Sequence, residues 1–500
     1  MKPKAKMPNR KGTLDVAGSL VIPKSLGDFG TRSMGIYADE VNLARAVPDL
    51  IDGLKPVQRR ILWAASNLGK DFVKTARLVG DVIGRYHPHG DASTSSAIVT
   101  LVQAATPPIS GKGGWGNLID PASAMRYTNC TLSNYGWTFF SPDYINRQVT
   151  SFVPNYDDTA MEPVSLPSML PNVLINGGEG IGVGTTTCLP SFTPESLAVV
   201  IKRRLAGEAL EPLDYAKVLK YQHRWGGRLV NSKENKQAWL ALFSAPGSSV
   251  QFESNVIINR DLKFIEIDDW PQGLNPVKFI ARVRALPECA SAVNSRGATC
   301  FRIECRKDYN LAQFDKFVDK VKKMTVVRRA FRLNVTHRES SVDDGVVSFT
   351  TKYLSLSVPD LLTAWLRERL KLEKRSLNFR IVRQQAAIDY SKLLIFACDN
   401  LDAIFKALRQ PDSKAFLVKS LKLTEEQADQ ILDLKVRQLS RLDQDVIKQR
   451  LKDQLGVLKQ LRAWLASPKA KVAADIDQVI AAIELDKKFA LSKTQNLVSA

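Results

Sequence analysis

The chain has 500 residues, with 71 basic against 51 acidic side chains and a formal charge of +20. Its 44% apolar content suits folded domains with sizeable cores, and the length suggests about three of them. The spread of positive charge favours a polyanionic partner, nucleic acid above all, and no run of about 18 apolar residues exists to span a bilayer.

In chain order, residues 1–33 read as a basic flexible arm. M-K-P-K-A-K-M-P-N-R-K-G has no apolar run behind it and is no secretory signal. From 34 to 165, helical patterns alternate with glycine-rich loops. Ala76, Val79, Val82 and Ile83 follow a helical period, and H-P-H-G interrupts it. Asp91 is placed to cap a second helix that buries Ala97, Ile98, Leu101 and Val102. Two helices joined by a short turn with glycine are a helix-turn-helix candidate, although most helical hairpins bind nothing. From 166 to 345, strand-like V-I-I-N, F-I-E-I and C-F-R-I-E-C alternate with short helices such as P-V-K-F-I-A-R-V, an α+β texture. From about 358 onward the chain is strongly helical. Leu366, Leu370, Leu377, Ile381, Ile388 and Ile395 repeat at fours and sevens. T-E-E-Q, after Pro411, opens a helix with a capping box at Thr424 and Gln427. Ile447, Leu451, Leu455, Leu458, Leu461 and Leu465 repeat at threes and fours. The two stripes imply a long antiparallel coiled coil, a helical bundle being the plainer alternative. Residues 481–500 read as a polar tail. The fold class is multidomain, mainly α with α+β parts.

The six cysteines, at 130, 188, 289, 300, 305 and 398, form no C-x-x-C pair and read as reduced thiols of a cytoplasmic protein. The D-x-D pairs Asp443/Asp445 and Asp475/Asp477 lie in helical segments. Residues two apart on a helix face different ways, so both pairs read as solvated faces and not as metal ligands. G-G-E-G-I-G-V-G-T-T-T, residues 177–187, matches neither G-x-G-x-x-G nor G-x-x-x-x-G-K-[ST], and no ATP site is expected in this chain. Its alternating glycines suit close approach of the backbone to another surface. Ile181 among them reads first as a buried core residue; the sharper reading is a wedge between base pairs that kinks DNA.

Lys55, Arg59 and Arg60 of D-G-L-K-P-V-Q-R-R-I-L-W, with the R-Y-H-P-H-G turn, supply what phosphate contacts need, and an ordinary charged helix face has the same composition. A-M-R-Y-T-N-C, residues 124–130, sets Arg126 beside Tyr127. A phenol with a pKa of about 10 is a poor nucleophile at neutral pH. An adjacent cation favours the phenolate and steadies charge building on a phosphate. Attack on a phosphodiester would form a phosphotyrosine, release a sugar hydroxyl and conserve the diester. Most R-Y pairs are nevertheless structural.

In this order the motifs resemble the A-type chain of bacterial-type type IIA topoisomerases, the DNA gyrase and topoisomerase IV family. R-A-V-P-D-L-I-D-G-L-K-P-V-Q-R-R-I-L, G-D-V-I-G-R-Y-H-P-H-G-D, A-M-R-Y-T, N-Y-D-D-T, L-I-N-G-G-E-G-I-G-V-G-T-T-T-C-L-P and L-T-E-E-Q-A-D-Q-I-L-D-L-K-V-R-Q-L-S-R-L carry the likeness over roughly residues 35–480. The resemblance implies that Tyr127 is the nucleophile that becomes linked to a DNA 5′ end, assisted by Arg126. It implies that Ile181 intercalates and that Arg45, Lys55, Arg59, Arg60, His87, His89 and Ser93 line the DNA path. Residues 34–165 would form a winged-helix domain, 166–345 a tower, and 346–480 a coiled coil ending in a dimer gate. The family works as a two-fold homodimer on double-stranded DNA, in an A2B2 complex whose B-type subunit holds Mg2+ and uses ATP. This chain would bind no metal or ATP alone, would not meet a membrane, and would sit on the nucleoid in a bacterial or phage-infected cytoplasm. A catalytically inactive, dimeric DNA-bending protein is the alternative. A tyrosine recombinase would want H-x-x-R, which none of the four histidines supplies, and a helix-turn-helix regulator would need neither tower nor gate.

The chain departs from the family pattern in four places. No DNA-wrapping domain is expected after the coiled coil, so ATP-dependent relaxation and decatenation are expected in place of negative supercoiling; short forms of this kind also occur in phage enzymes. Gln58 replaces a common histidine, a modest change, and T-T-T-C-L-P replaces M-A-T-N-I-P behind Ile181. Ala92 and Ser96 stand where the family has a serine and an acid that anchor quinolones through a water-bound metal. Neither side chain is an effective anchor for a hydrated ion, so quinolone-stabilised cleavage is expected to be weak. Linear DNA at low drug concentration in a plasmid cleavage assay would refute this.

Overall fold

Ser25 accepts the Asp28 N–H at 3.0 Å and opens helix α1 (Leu26–Val41) in the computed structural model, which describes residues 13–14, 20–21, 25–295, 299–343, 346–433 and 441–498. α1 buries no side chain and crosses the boundary expected at residues 33–34, so the predicted arm is helical where it joins the body. A π-helical turn, Asn42–Ala46, follows. Helix α2 (Pro56–Asn67) starts with Pro56 in its first turn, and Gln58 accepts the Lys55 N–H at 3.0 Å. It buries Ile61, Leu62, Ala64 and Ala65 against helices α3 (Thr75–Arg85) and α4 (Asp91–Val102). Asp91 does not cap α4. Gly90 holds that position, and Asp91 is the first residue inside, where its charge suits the helix dipole. A three-stranded antiparallel sheet completes this unit, with Asn129–Leu132 between Val73–Lys74 and Ile109–Lys112.

The apolar core does not divide at residue 165. Leu50, Leu101, Leu166, Leu197, Phe252 and Trp365 belong to one continuous cluster. A five-stranded sheet contributes to it, in the order Arg228–Leu229, Gly247–Glu253, Val327–Arg332, Thr186–Leu189, Gly178–Ile181. The expected α+β unit has its own core only over residues 256–321. There a four-stranded sheet carries the helices Pro276–Arg284 and Leu311–Thr325. The chain is thus mixed helix and strand, as the sequence suggests, with a different partition of cores.

A long hairpin, Asn334–Asp343 with Val346–Ser355, leads into the 42-residue helix Val358–Asp399. The helix Arg441–Ala466 runs back along it. Arg380 lies 6.0 Å from the Trp464 ring, while Ser391 donates to Gln454 at 2.8 Å, so the pair is antiparallel. Leu455, expected in this seam, is exposed. Gln454 occupies the seam instead, with Gln384 donating to its carbonyl at 3.0 Å. The inward positions step 447, 451, 454, 458, and the sequence puts a glutamine at one of them. The capping box at Thr424 and Gln427 forms as expected. Residues 434–440, within the predicted gate, and the side chain of Asp443 lie outside the described residues; Asp445 is exposed.

The final helix, Pro468–Val498, replaces the predicted tail. It returns to the head, where Val472, Ile476, Val479 and Ile483 join the main core. Asp486 accepts the backbone N–H of Asn134 and Tyr135 at 3.0 and 2.9 Å. Asp475 and Asp477 do face different ways, but only Asp477 is on a solvated face. Asp475 is buried, bound to Arg369 at 2.7 Å, to the Tyr144 hydroxyl at 2.9 Å and to Lys471. Among the described residues no helix is long and apolar enough to cross a membrane.

Asp475→Ala is expected to cost about 3–5 kcal/mol in urea denaturation, because it strips a buried guanidinium of one partner. Asp477→Ala, which removes only an exposed pair with Lys202, is expected to stay within about 1 kcal/mol.

Candidate functional site

Tyr127 stands just before the central strand Asn129–Leu132. Its N–H donates to the Ala124 carbonyl at 2.9 Å, and Thr128, fully buried, is tied to the start of α3. The Thr75 N–H reaches the Thr128 carbonyl at 3.1 Å and the two hydroxyls meet at 2.8 Å. The glycine-rich loop closes on the same segment, with the Ser123 N–H on the Gly114 carbonyl at 2.8 Å. Both flanks of Tyr127 are therefore fixed while its side chain stays 63% exposed. The guanidinium of Arg126 lies 4.8 Å from the Tyr127 ring centroid. A phenol held in water beside a cation is poised to meet an anionic centre.

The basic residues of α2 separate into two kinds. Arg59, expected on the DNA path, is buried and turned inward. Its Nε donates to Asp52 Oδ2 at 2.6 Å and its Nη2 to Oδ1 at 3.1 Å. Burial alone would lower its pKa, but Asp52 raises it above the ordinary arginine value. Asp49, buried beside this pair, has its carboxyl pushed up to about 7 by burial and by the Asp52 charge. Arg60 faces the other way and is held bidentate by Glu162 at 2.8 Å through both nitrogens. Its Nη1 also reaches His87 Nδ1 at 3.1 Å. Arginine can only donate, so Nδ1 accepts and the His87 proton sits on Nε2. Burial, then His89, Arg60 and Arg45, push the His87 pKa down to about 4, so this imidazole is neutral at physiological pH. His89 stacks on it with ring centroids 3.9 Å apart. Lys55 donates to the Glu179 carbonyl at 2.6 Å, and burial lowers its pKa. Arg45, in the π-turn, and Ser93, whose hydroxyl donates to the Gly90 carbonyl at 2.6 Å, are exposed. Asp91, Ala92 and Ser96 are exposed on the same end of α4, while Thr94 and Ile98 are buried.

Ile181 is not a core residue. It ends the strand Gly178–Ile181, pairs with Thr186 across a hairpin, and is 85% exposed. Alternation explains this. Gly178, Gly180 and Gly182 share one side of the strand; Gly180 and Gly182 press on the π-turn, and Gly178 faces Pro48 and Leu189. A Cβ at Gly180 would lie 1.9 Å from the Ala46 carbonyl oxygen, and one at Gly182 would lie 1.9 Å from Asn42 Oδ1. Asn42 clamps the hairpin tip, accepting the Val183 N–H at 2.8 Å and donating to its carbonyl at 3.1 Å. Glu179 and Ile181 take the opposite side. Glu179 is secured by Arg329 and Gln272, and Ile181 is left projecting. Asn42, Glu162 and Arg329 escape motif reading: each acts on a partner about a hundred or more residues away, and nothing local marks them. Among the described residues no group of three or more His, Cys, Asp or Glu side chains is placed to hold a metal ion.

A family model that describes the A subunit of DNA gyrase/topoisomerase IV matches residues 45–479. The chain is similar to the A subunit of DNA topoisomerase 4 from Pseudomonas aeruginosa, 31% identical over 487 residues, covering 91% of this chain and 61% of the relative. It is similar to the A subunit of DNA gyrase from Streptococcus pneumoniae, 30% identical over 455 residues, with 87% and 53% covered. The corresponding DNA gyrase chain of Staphylococcus aureus is 29% identical over 458 residues, with 86% and 49% covered. The chain thus spans between about half and three-fifths of the length of these curated relatives.

Gly180→Ala is expected to lift the hairpin off the π-turn without unfolding the core. Hydrogen exchange at residues 178–189 should rise by about tenfold or more, since the methyl group has no room beside the Ala46 backbone. Unchanged protection there would show that the contact is not what seats the hairpin.

Proposed function

The chain belongs to the family of DNA gyrase and topoisomerase IV A subunits, and on that premise we propose that it is the DNA breakage-and-reunion subunit of a type IIA topoisomerase. The observation that carries this reading is the Tyr127 hydroxyl, held out to solvent by a backbone tethered on both sides, with Arg126 beside it. The Tyr127 oxygen attacks the scissile phosphorus. The bond from phosphorus to the 3′ oxygen breaks, the 3′ sugar hydroxyl leaves with a proton, and the 5′ phosphate stays on tyrosine as a diester. Resealing is the reverse attack by the 3′ hydroxyl, and it needs no energy input because the diester is conserved. Arg126 steadies charge on the phosphate oxygens.

The other roles belong to the same proposal. Residues 34–165 act as a winged helix, with the exposed start of α4, including Ser93, in a major groove. Arg45, Lys55, Arg60, His87 and His89 follow the phosphate backbone. Arg59 takes a positioning role, since its guanidinium is spent on Asp52. Ile181 enters a base step and bends the gate duplex, for which a rigid, glycine-backed hairpin with one exposed apolar tip is suited. The part with its own core at residues 256–321 is the tower, and the antiparallel helix pair is the arm that leads to a dimer gate. A two-fold dimer brings one tyrosine to each strand. A B-type partner in an A2B2 complex supplies Mg2+ and hydrolyses ATP, and the complex relaxes and decatenates DNA.

The test is covalent trapping. The chain, its cognate B subunit, supercoiled plasmid and Mg2+ or Ca2+ are mixed, quenched with detergent and digested with protease. Linear DNA with blocked 5′ ends is expected, falling at least about 10^3-fold in Tyr127→Phe. Bound, bent and uncut DNA with an active partner would sink this reading and leave a DNA-bending dimer.

A further inference from the structure

A cavity of about 660 Å3 lies where the long hairpin, the first turns of the helix Val358–Asp399 and the segment around Leu166 meet. Its volume is that of a small-molecule site. Arg338, Lys374 and Arg375 line it, and no side chain of the three is within ion-pair or hydrogen-bond distance of another described residue, although Glu368 acts electrostatically on Arg375, and Asp49 and Glu162 on Arg338. Two carboxylates also line it, and both are already engaged. Glu368 holds Lys371 at 2.8 Å and Arg367 at 3.3 Å, and Glu339 holds Lys352 at 2.6 Å. The balance left over is positive. His337, buried in the wall, adds a second observation. Its Nε2 lies 3.9 Å from Glu368 and 4.0 Å from Glu339, while its Nδ1 is buried with no hydrogen-bond partner. A buried polar nitrogen without a partner costs free energy that a bound ligand or water recovers.

From this cavity we infer a binding site for a small oligophosphate, free or carried on a nucleoside. Two guanidinium forks and an ammonium suit several phosphate oxygens at once, and arginine matches phosphate in bidentate fashion. A recess of this volume, walled by three elements, does not admit a duplex, whose major groove alone is about 12 Å wide. The site is separate from Tyr127 and from Ile181 but not mechanically remote from α2. Ile51 lines the cavity, and its carbonyl accepts the Trp365 indole N–H at 3.2 Å, joining the long helix to the segment that carries Asp49 and Asp52. An occupant would fasten the long helix to the head. Burial, then the Arg59 charge, hold the Arg338 guanidinium below its ordinary pKa, and Asp49 and Glu162 offset this only in part.

The experiment is isothermal titration of the full chain, without DNA or partner, using sodium tripolyphosphate and separately ATP. Saturable binding with one site per chain is expected, together with a ligand-dependent rise in melting temperature. The double variant R338Q/R375Q should bind about tenfold or more weakly at unchanged melting temperature of the free protein. The control K452Q/K459Q removes the same charge from the exposed face of the helix Arg441–Ala466 and should leave affinity within about twofold. Tighter binding of ATP than of tripolyphosphate would assign a nucleoside-borne ligand; equal binding would assign the phosphate chain alone. No saturable binding of either probe, or equal weakening in both double variants, would overturn the site. So would competition by a short duplex that is lost in R338Q/R375Q, since the cations would then belong to the DNA surface. H337Q, which keeps a polar side chain, serves as a second variant should the double variant melt early; unchanged affinity in it together with unchanged affinity in K374Q would also overturn the site.

Discussion

The carboxylate of Asp52 is buried, and the start of α2 and the segment at Leu166 are hung on it. Oδ1 accepts the Leu54 N–H at 2.9 Å and Arg59 Nη2 at 3.1 Å, and Oδ2 accepts Arg59 Nε at 2.6 Å and the Leu166 N–H at 2.8 Å. A buried charge is tolerable only with such complete satisfaction. The same residue's carbonyl accepts from Asn172 at 2.8 Å, and Asn172 in turn receives the Tyr135 hydroxyl at 3.0 Å. One residue therefore sets the start of α2 and the segment at Leu166 through its side chain, and the short helix that leads into the glycine-rich hairpin through its carbonyl. Lys55, Arg60 and Ile181 stand on elements that share this single anchor.

Positive charge is the second constraint. A surface that gathers cations sets like charges to repel one another. Here the repulsion is relieved locally. Glu162 takes Arg60, Glu179 takes Arg329, and His87 stays neutral, its pKa lowered by burial first and then by His89, Arg60 and Arg45. Carboxylates of this kind hold the cations in place and still leave the outer faces open. The neutral imidazole accepts where a protonated one would repel, so Arg60 gains an orienting partner without added like charge.

Much of this was legible in the residues. Alternating glycines announced a close backbone approach, and the approach exists, at the Ala46 carbonyl and Asn42. The partner surface was not legible, because it lies some 140 residues earlier in the chain. Ile181 reads as a core residue until the strand's two sides are assigned; the glycines take the inner side and leave it nowhere to pack. The burial of Arg59 was not legible. Spacing does not separate it from Arg60, since Arg59 lies three residues before buried Leu62 and Arg60 four before buried Ala64; Asp52, seven residues earlier, is what turns Arg59 inward. Asp475 falls between Val472 and Val479 on the face of the final helix that joins the core, so spacing alone argued against a solvated position. The division of cores was not legible, since composition changes near residue 166 while packing does not.

The return of the final helix has a consequence for how the protein is made. Val472, Ile476, Val479 and Ile483 complete a core that begins at Leu50, so the head contains contacts between segments roughly four hundred residues apart. Such closure is slow and comes late. On a ribosome, the unit at residues 256–321, whose core is local, has all its parts early, whereas the head waits with an open apolar strip until the last helix emerges. The order of synthesis and the order of assembly therefore differ, and the nascent head is the stage at which this chain most needs protection from aggregation.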